Sequence, residues 1–234
     1  MSYYNFLNYN KKRVFIISDS VGLPREKCWG NDKKLHYYNC EYNSTWPALL
    51  KNDYEVVQFS VGGCTITSIL DHIGHYAMFY PEIVIFQVGI VDCAPRALSE
   101  MQKLILPNYY FGRLYIKLIK SNPSIFRRIR KKVFTTPHAF NKQLFRLPTI
   151  FKKNPIIISI GIIEPKNKIY IKRLPGIEKN VKHYNNMLKI HFKSNFISLS
   201  DMPKEYLMAD SVHFTDKAHE FVYNKVDTLI SNNT

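Results

Sequence analysis

The chain has 234 residues, of which 46% are hydrophobic and 22% are charged. This composition is typical of a globular protein and excludes a disordered, collagen-like or coiled-coil chain. The length predicts a single domain over residues 1–234. The longest apolar run, at residues 155–163, is shorter than the roughly 18 residues that cross a bilayer, which argues against a transmembrane helix.

The N-terminal sequence and the cysteines indicate a compartment. The first basic pair comes only after residue 10 and no small-residue cleavage site follows, so the start does not resemble a secretory signal. We therefore expect a cytoplasmic protein. The cysteines have neither metal-ligand nor disulfide spacing, and we predict reduced thiols at Cys28, Cys40, Cys64 and Cys93.

The net charge of +15 is concentrated in one segment. Residues 102–155 contain thirteen Lys and Arg and no Asp or Glu, which leaves 20 basic and 18 acidic residues elsewhere. The basicity is therefore a property of one local surface and an argument about partners, not about the fold.

The hydrophobic pattern alternates between strand and helix. Short β-branched or aromatic runs predict five strands, at residues 13–18, 54–61, 82–89, 155–163 and 195–200. Apolar residues at helical spacing or good start signals predict helices at 45–51, 65–79, 178–192 and 215–230. This alternation predicts an α/β fold, a flavodoxin-like three-layer sandwich of about five parallel strands flanked by helices.

One segment departs from the alternation. Residues 97–154, after the third strand, are rich in basic and aromatic side chains and are interrupted by Pro107, Pro123, Pro137 and Pro148. We predict a basic helical insertion of short helices that forms a cap or lid over one end of the sheet.

Small or polar clusters follow the predicted strands or precede the last helix. They are SDSVG at 18–22, GGCT at 62–65, GIVDCAPR at 89–96 and DSVHF at 210–214. Since ligands of open parallel sheets bind at the carboxyl ends of the strands, these clusters are the candidate site.

Three residues in these clusters can form a nucleophilic site. Ser20 lies on a strand-to-helix turn, where backbone N–H groups can stabilise negative charge. A serine needs an adjacent base, for which His213 is the candidate, and Asp210 can fix the tautomer of that histidine. Taken singly, an S-D-S turn is typical of a helix cap and a D-x-x-H pair of local hydrogen bonding.

Together, the four clusters resemble the sequence blocks of the SGNH/GDSL hydrolase superfamily, in the same order and on the same strands. The resemblance extends from about residue 13 to residue 230 and does not cover the basic insertion. It implies a serine hydrolase in which Ser20 is the nucleophile, His213 the general base and Asp210 its orienting acid. It also implies that the backbone N–H groups of Ser20 and Gly63 form the oxyanion hole.

Two positions depart from the family pattern. Ser18 replaces a Gly, and Val91 replaces the Asn that supplies a third oxyanion donor, a loss that typically costs roughly 2.7 to 4 kcal/mol. We expect Arg96 or the turn around it to substitute for this donor, or Arg96 to hold a substrate carboxylate; a surface ion pair is the alternative. We assign Asp19, Val91, Asp92 and Arg96 to the substrate-binding surface, and for Asp92 the resemblance implies a structural acid that helps shape the site rather than a direct chemical role.

The basic insertion has several candidate partners. Nucleic acid is the least favoured, because no nucleic-acid-binding motif accompanies the charge. Peripheral contact with an anionic membrane through residues 102–155 fits, as does a cap over an acidic glycan or a lipid-linked or nucleotide-linked donor. A merely solvated basic face is the remaining alternative. The sequence does not indicate an oligomeric state.

The sequence therefore predicts an SGNH-type serine esterase or acyltransferase that forms an acyl-enzyme on Ser20. The Val91 variant of the block resembles members from bacterial surface-polysaccharide biosynthesis, so an acylated glycan or its precursor is the expected substrate. The alternative is a catalytically degenerate SGNH domain that binds an anionic glycan or a membrane surface. No organic cofactor is implied, and no metal, because His72 and His75 lack a third ligand.

Overall fold

The structure is a computed structural model that describes residues 11–25 and 40–233. Cys28 lies outside the described residues, while Cys40, Cys64 and Cys93 are free and buried. The strands are β1 Arg13–Ser18, β2 Glu55–Ser60, β3 Ile83–Gln87, β4 Ile156–Ile160 and β5 Phe196–Ile197.

The strands form one parallel sheet in the order β2-β1-β3-β4-β5. At the carboxyl end of β1, Ser18 pairs with Ser60 of β2 and Gln87 of β3. All residues of β3 are buried, as expected for a strand covered on both faces. Because the strands run in the same direction, the connections that leave β1, β2 and β3 meet at one edge of the sheet.

Helices connect the strands and cover the sheet. The first helix packs against the last helix, and the two long crossover helices, at 137–149 and 177–192, pack against each other. This three-layer arrangement confirms the predicted fold class. The helices are α1 Trp46–Leu49, α2 Ile66–Leu70, α3 Ile90–Cys93, α4 Glu100–Ile105, α5 Tyr110–Ser121, α6 Pro123–Arg130, α7 Pro137–Thr149, α8 Lys168–Arg173, α9 Ile177–Phe192 and α10 Asp216–Asn232.

The helix predicted over residues 65–79 is much shorter than expected. It begins with a capping box in which Thr65 and Ser68 satisfy each other's backbone N–H groups, and it ends at Leu70. Gly74, a poor helix former, follows, and a separate 3₁₀ turn occupies Tyr76–Phe79. The apolar periodicity of residues 65–79 therefore spans two separate elements, α2 and the 3₁₀ turn.

The segment predicted as an insertion, 97–154, consists of two different parts. Helices α4 to α6 project large apolar side chains into solvent, whereas α7 buries Phe140, Leu144 and Leu147 in the core beside α9. Helix α7 is thus the crossover helix that a parallel connection from β3 to β4 requires. Pro148 lies inside its last turn and does not end it.

Within residues 11–25 and 40–233, none of the helices combines the length and apolarity that a bilayer span requires.

The division of the segment predicts unequal effects of two matched truncations. Leu144→Ala, at a fully buried position of α7, is expected to lower the free energy of unfolding by about 2 to 5 kcal/mol. Leu118→Ala removes the same atoms from α5, where the side chain is 55% exposed, and is expected to cost about 0.5 kcal/mol or less. Urea titration measures both, and equal losses would contradict this description of α5 and α7.

Candidate active site

Ser20 lies on the turn that leaves β1. Asp19 caps this turn, because its Oδ1 accepts a hydrogen bond from the Val21 N–H at 2.9 Å and its carbonyl accepts one from the Gly22 N–H at 3.3 Å. The Ser20 N–H lies at the first position of the turn and takes part in no hydrogen bond within the turn. Gly22 is required here, since a Cβ would lie 2.3 Å from Ser18 Oγ.

The histidine loop before α10 brings the base to this serine. His213 Nε2 lies 3.0 Å from Ser20 Oγ, and His213 Nδ1 lies 2.5 Å from Asp210 Oδ2. The other carboxylate oxygen of Asp210 accepts hydrogen bonds from the backbone N–H groups of Val212 and His213, at 3.1 and 3.0 Å. The structure thus brings the three predicted residues together with the geometry of a nucleophile, a base and an orienting acid.

Electrostatics favours the ionised form of Asp210. Burial of the carboxyl group opposes ionisation, but the hydrogen bond and the charge of His213 outweigh it and lower the pKa of Asp210 to about 2. The carboxylate can therefore hold the proton on His213 Nδ1, which leaves the Nε2 lone pair directed towards Ser20.

The glycine pair after β2 lies next to the nucleophile. A Cβ on Gly62 would come within 3.9 Å of Ser20 Cβ. Gly63 has a φ of +75°, a left-handed conformation that favours glycine, and a Cβ there would meet nothing within 4 Å. The open space beside Gly63 is compatible with its predicted role as an oxyanion donor, which stays a prediction.

A cleft of about 190 Å³ opens beside the triad. Val91 lines it at the position where the resemblance predicts an Asn, and its side chain offers only methyl groups. The cleft therefore has no side-chain oxyanion donor at this position. Its lining residues are Ser20, Ile90, Val91, Ala94, Arg96, Tyr170, Leu174, Asp210, Val212 and His213.

Arg96 lies in the cleft with its guanidinium only partly engaged. One Nη donates a hydrogen bond to the Val91 carbonyl at 3.1 Å, and the guanidinium lies 4.2 Å from the ring centre of Phe134. Its Nε is buried without a hydrogen-bond partner among the described residues, and burial lowers the pKa of Arg96. No ion pair in the described part of the chain includes Arg96, so the surface ion pair considered above is not formed there.

Asp19 and Asp92 do not line the cleft, which corrects their assignment as substrate contacts. Their exposed fractions are 2% and 0%. Asp92 accepts hydrogen bonds from the Ile66 N–H at 3.1 Å and from the Thr135 hydroxyl. Burial is the main cause that raises the pKa of Asp19 to about 7 and that of Asp92 to about 6. From the interior of the protein, both carboxyl groups thus fix the backbone of the loops that form the site.

Arg25 and Tyr170 belong to the site although no sequence signal marks them. One Nη of Arg25 donates a hydrogen bond to His213 Nε2, and backbone bonds of 2.9 and 2.8 Å join Arg25 to Cys40. Tyr170, from α8, lines the cleft, and burial and the charge of Asp210 raise its pKa to about 12. Both lie outside the four clusters, so only the folded chain places them beside the triad.

His72 and His219 make structural contacts away from the cleft. His72 Nδ1 lies 2.7 Å from the Ser68 carbonyl. His219 is buried in the core, where burial lowers its pKa to about 3 and its Nδ1 accepts a hydrogen bond from the Trp46 N–H at 3.2 Å. In the described ranges, no group of three or more His, Cys, Asp or Glu side chains is placed to hold a metal ion.

Comparison with solved structures identifies the fold. A GDSL-like lipase from Bacteroides thetaiotaomicron matches with a TM-score of 0.62 at 11% identity, over 97% of this chain and 92% of that chain. A lipase/acylhydrolase from Enterococcus faecalis matches with a TM-score of 0.59 at 12% identity, over 95% and 96%. An acetyl xylan esterase matches with a TM-score of 0.56 at 17% identity, over 92% and 98%.

The chain therefore has the fold of the SGNH/GDSL hydrolases, which confirms the resemblance inferred from the four blocks. Family models and curated protein sequences gave no match. At these identities, the comparison establishes the fold, and the chemistry is argued from the residues of the site.

The buried carboxyl group of Asp19 predicts a pH-dependent stability difference. Its pKa is about 7 in the folded protein against an ordinary value of 3.8, so folding retains a proton between these values. This contribution to stability is full below about pH 4 and is lost as the pH rises through about 7. Asp19→Asn keeps the Oδ1 acceptor for Val21 and does not titrate. Relative to this variant, wild type should lose free energy of unfolding from pH 4 to pH 7 in urea titrations; a constant difference would contradict the shift.

Proposed function

We propose that the protein is a serine esterase or acyltransferase that forms an acyl-enzyme on Ser20. The observation that carries this proposal is the continuous hydrogen-bonded series from Ser20 Oγ through His213 to Asp210, next to an open cleft. The SGNH/GDSL fold of the chain supports it, because several neighbours with this fold are described as lipases and esterases.

In the proposed reaction, Ser20 Oγ attacks the carbonyl carbon of the acyl group while its proton passes to His213 Nε2. The backbone N–H groups of Ser20 and Gly63 stabilise the oxyanion. The bond from the acyl carbon to the alcohol oxygen then breaks, and His213 returns the proton to that oxygen. In the second half, a water or sugar hydroxyl attacks the acyl carbon, gives its proton to His213, and Ser20 Oγ leaves and recovers that proton.

A short acyl group on a glycan fits the site best. The cleft of about 190 Å³ is smaller than the roughly 300 Å³ at which drug-sized pockets begin, which favours a group such as acetyl. Two of the structural neighbours are described as esterases of acetylated xylan or xylo-oligosaccharides. A bacterial surface polysaccharide or its precursor is the substrate that the Val91 variant of the sequence block favours.

One observation favours a second function, that of a degenerate domain that binds without chemistry. Val91 offers no oxyanion donor, and none of the described residues that line the cleft has a side-chain amide. The second function would leave the bonds among Ser20, His213 and Asp210 without a purpose, so we rank it below the esterase.

Turnover by active-site variants tests the proposal. Wild type should hydrolyse 4-nitrophenyl acetate and acetylated xylo-oligosaccharides, and Ser20→Ala should abolish both activities. Asp210→Asn should lower kcat by about 10³- to 10⁴-fold, because the histidine loses its orienting charge. The control is Ser194→Ala, an exposed serine just before β5, which should keep wild-type rates. Binding of the oligosaccharide without turnover by wild type would support the second function instead.

Product analysis separates hydrolysis from transfer. In the presence of an unmodified oligosaccharide, an acyltransferase moves the acetyl group to that sugar, whereas an esterase releases acetate. The balance depends on how well the cleft excludes water from the acyl-enzyme.

A further inference from the structure

Arg25 and His213 form a contact that the proposed reaction does not use. With Nδ1 protonated and bonded to Asp210, His213 has one lone pair, on Nε2. Both the Ser20 hydroxyl and an Nη of Arg25 are directed at that nitrogen. Arginine is always protonated, so this contact competes with the serine for the lone pair that must accept its proton.

Arg25 also opposes the charge that develops during the reaction. When His213 accepts the proton from Ser20, it becomes a cation beside a guanidinium, and like charges at contact distance raise the energy of that state. An anion that binds Arg25 would remove both effects, because it withdraws the guanidinium from Nε2 and neutralises its charge.

The cleft is already suited to an anion. Of the described residues that line it, Asp210 is the only acid, and it is bonded to His213. Arg96 also lines the cleft, with a buried Nε that has no hydrogen-bond partner, and the charges of Arg96 and Arg127 both act on Tyr170 at its wall. These groups give the cleft a positive field that a neutral ester does not use.

We propose that the substrate carries a carboxylate or another anionic group next to its ester, and that Arg25 is the residue that recognises this group. The bidentate fork of Arg25 suits a planar carboxylate, as in an acylated acidic sugar. This inference rests on the proposed esterase or acyltransferase function. It makes Arg25 a specificity determinant, because its contact with His213 slows turnover of a neutral ester relative to an anionic one.

Two aryl acetates of similar size, one anionic and one neutral, test this inference: 4-acetoxybenzoate and 4-acetoxybenzamide, each compared with its rate of uncatalysed hydrolysis. Wild type should prefer the anionic ester in kcat/KM by about tenfold or more, the effect of one charge-assisted hydrogen bond. Arg25→Gln should lose this preference, with a lower kcat/KM for the benzoate and an equal or higher one for the benzamide. The matched control is Lys172→Gln, which removes an exposed cation of α8.

The outcomes of this test are separable. Equal rates of wild type on the two esters, or an equal loss on both in Arg25→Gln, would overturn the role of Arg25 while the esterase function stands. No turnover of either ester by wild type would count against the proposed function itself.

A second, independent observation concerns the surface of α4 to α6. Helix α5 buries one apolar stripe, which includes Gly112 and Ile119, yet it also exposes a second stripe of Phe111, Leu114 and Leu118. Phe111 is 81% exposed. Exposed apolar side chains that lie together in one patch are typical of an interaction surface. We call the exposed apolar side chains of α4 to α6 the apolar surface: Met101, Leu104, Ile105, Tyr109, Tyr110, Phe111, Leu114, Leu118, Ile125 and Ile129.

Basic residues flank this apolar surface, and Glu100, next to Met101 in the sequence, is the one acid within residues 100–155. At helical spacing, Arg113, Lys117 and Lys120 form a stripe on α5 next to the exposed apolar one, and α6 ends in a run of basic residues. Residues 102–155 contain no Asp or Glu. A second copy of this chain would bring cations against cations, whereas an anionic lipid surface complements both the charge and the apolar stripe.

We infer that the apolar surface docks the protein on an anionic bilayer, with α5 lying in the plane of the interface. The surface is joined to the candidate active site, since the Arg96 N–H donates a hydrogen bond of 2.7 Å to the carbonyl of Lys132, just after α6. Docking would thus hold the cleft close to substrates attached to or assembled at the membrane.

Vesicle sedimentation tests the docking surface. The protein should bind phosphatidylcholine vesicles that contain phosphatidylglycerol, bind pure phosphatidylcholine weakly, and dissociate as salt is raised. Phe111→Ser should reduce binding severalfold, and so should Lys117→Gln with Lys120→Gln. The matched controls are Ile190→Ser and Lys182→Gln with Lys189→Gln, which change exposed residues of α9 and should bind as wild type.

Two results would overturn this inference. One is no binding to the anionic vesicles by wild type, or equal binding by the α5 variants and their controls. The other is a dimer in sedimentation analysis that Phe111→Ser dissociates, which would assign the apolar surface to a second copy of the chain.

Discussion

The position of the candidate site depends on one buried carboxyl group. Asp92 follows β3 and accepts hydrogen bonds from the Ile66 N–H, at the start of α2, and from the Thr135 hydroxyl, just before α7. It therefore joins the connections after β2 and β3 to the return of the basic segment. An unpaired carboxyl group at this depth would be costly, so these bonds constrain the glycine loop and the wall of the cleft relative to Ser20.

Opposing charges then determine what the site can do. Asp210 prepares His213 to accept a proton, while Arg25 competes for the same nitrogen. Val91 offers no side-chain donor to an oxyanion, while Arg25 and Arg96 give the site positive charge. A requirement for an anionic substrate and contact with an anionic membrane are both consistent with this balance of charge.

Much of this arrangement follows from the sequence, and the exceptions have physical causes. The β-branched runs identify each strand, and Ser20, Asp210 and His213 are found because each lies in a small or polar cluster of its own. Helix α7 is obscured because its outer face is as basic and aromatic as the true insertion, and only burial of its inner face distinguishes it. Arg25 reaches His213 across 188 positions, so no local pattern reveals it. Asp19 and Asp92 have the residue types of a binding site, but burial directs them into the protein.

The central claim is that Ser20 is an activated nucleophile, and covalent labelling tests it most directly. Intact-protein mass after treatment with a fluorophosphonate should show one adduct on wild type, none on Ser20→Ala, and much slower labelling of His213→Ala. An unlabelled wild type with the circular dichroism of a folded α/β protein, or a Ser20→Ala variant that labels as fast as wild type, would contradict the account.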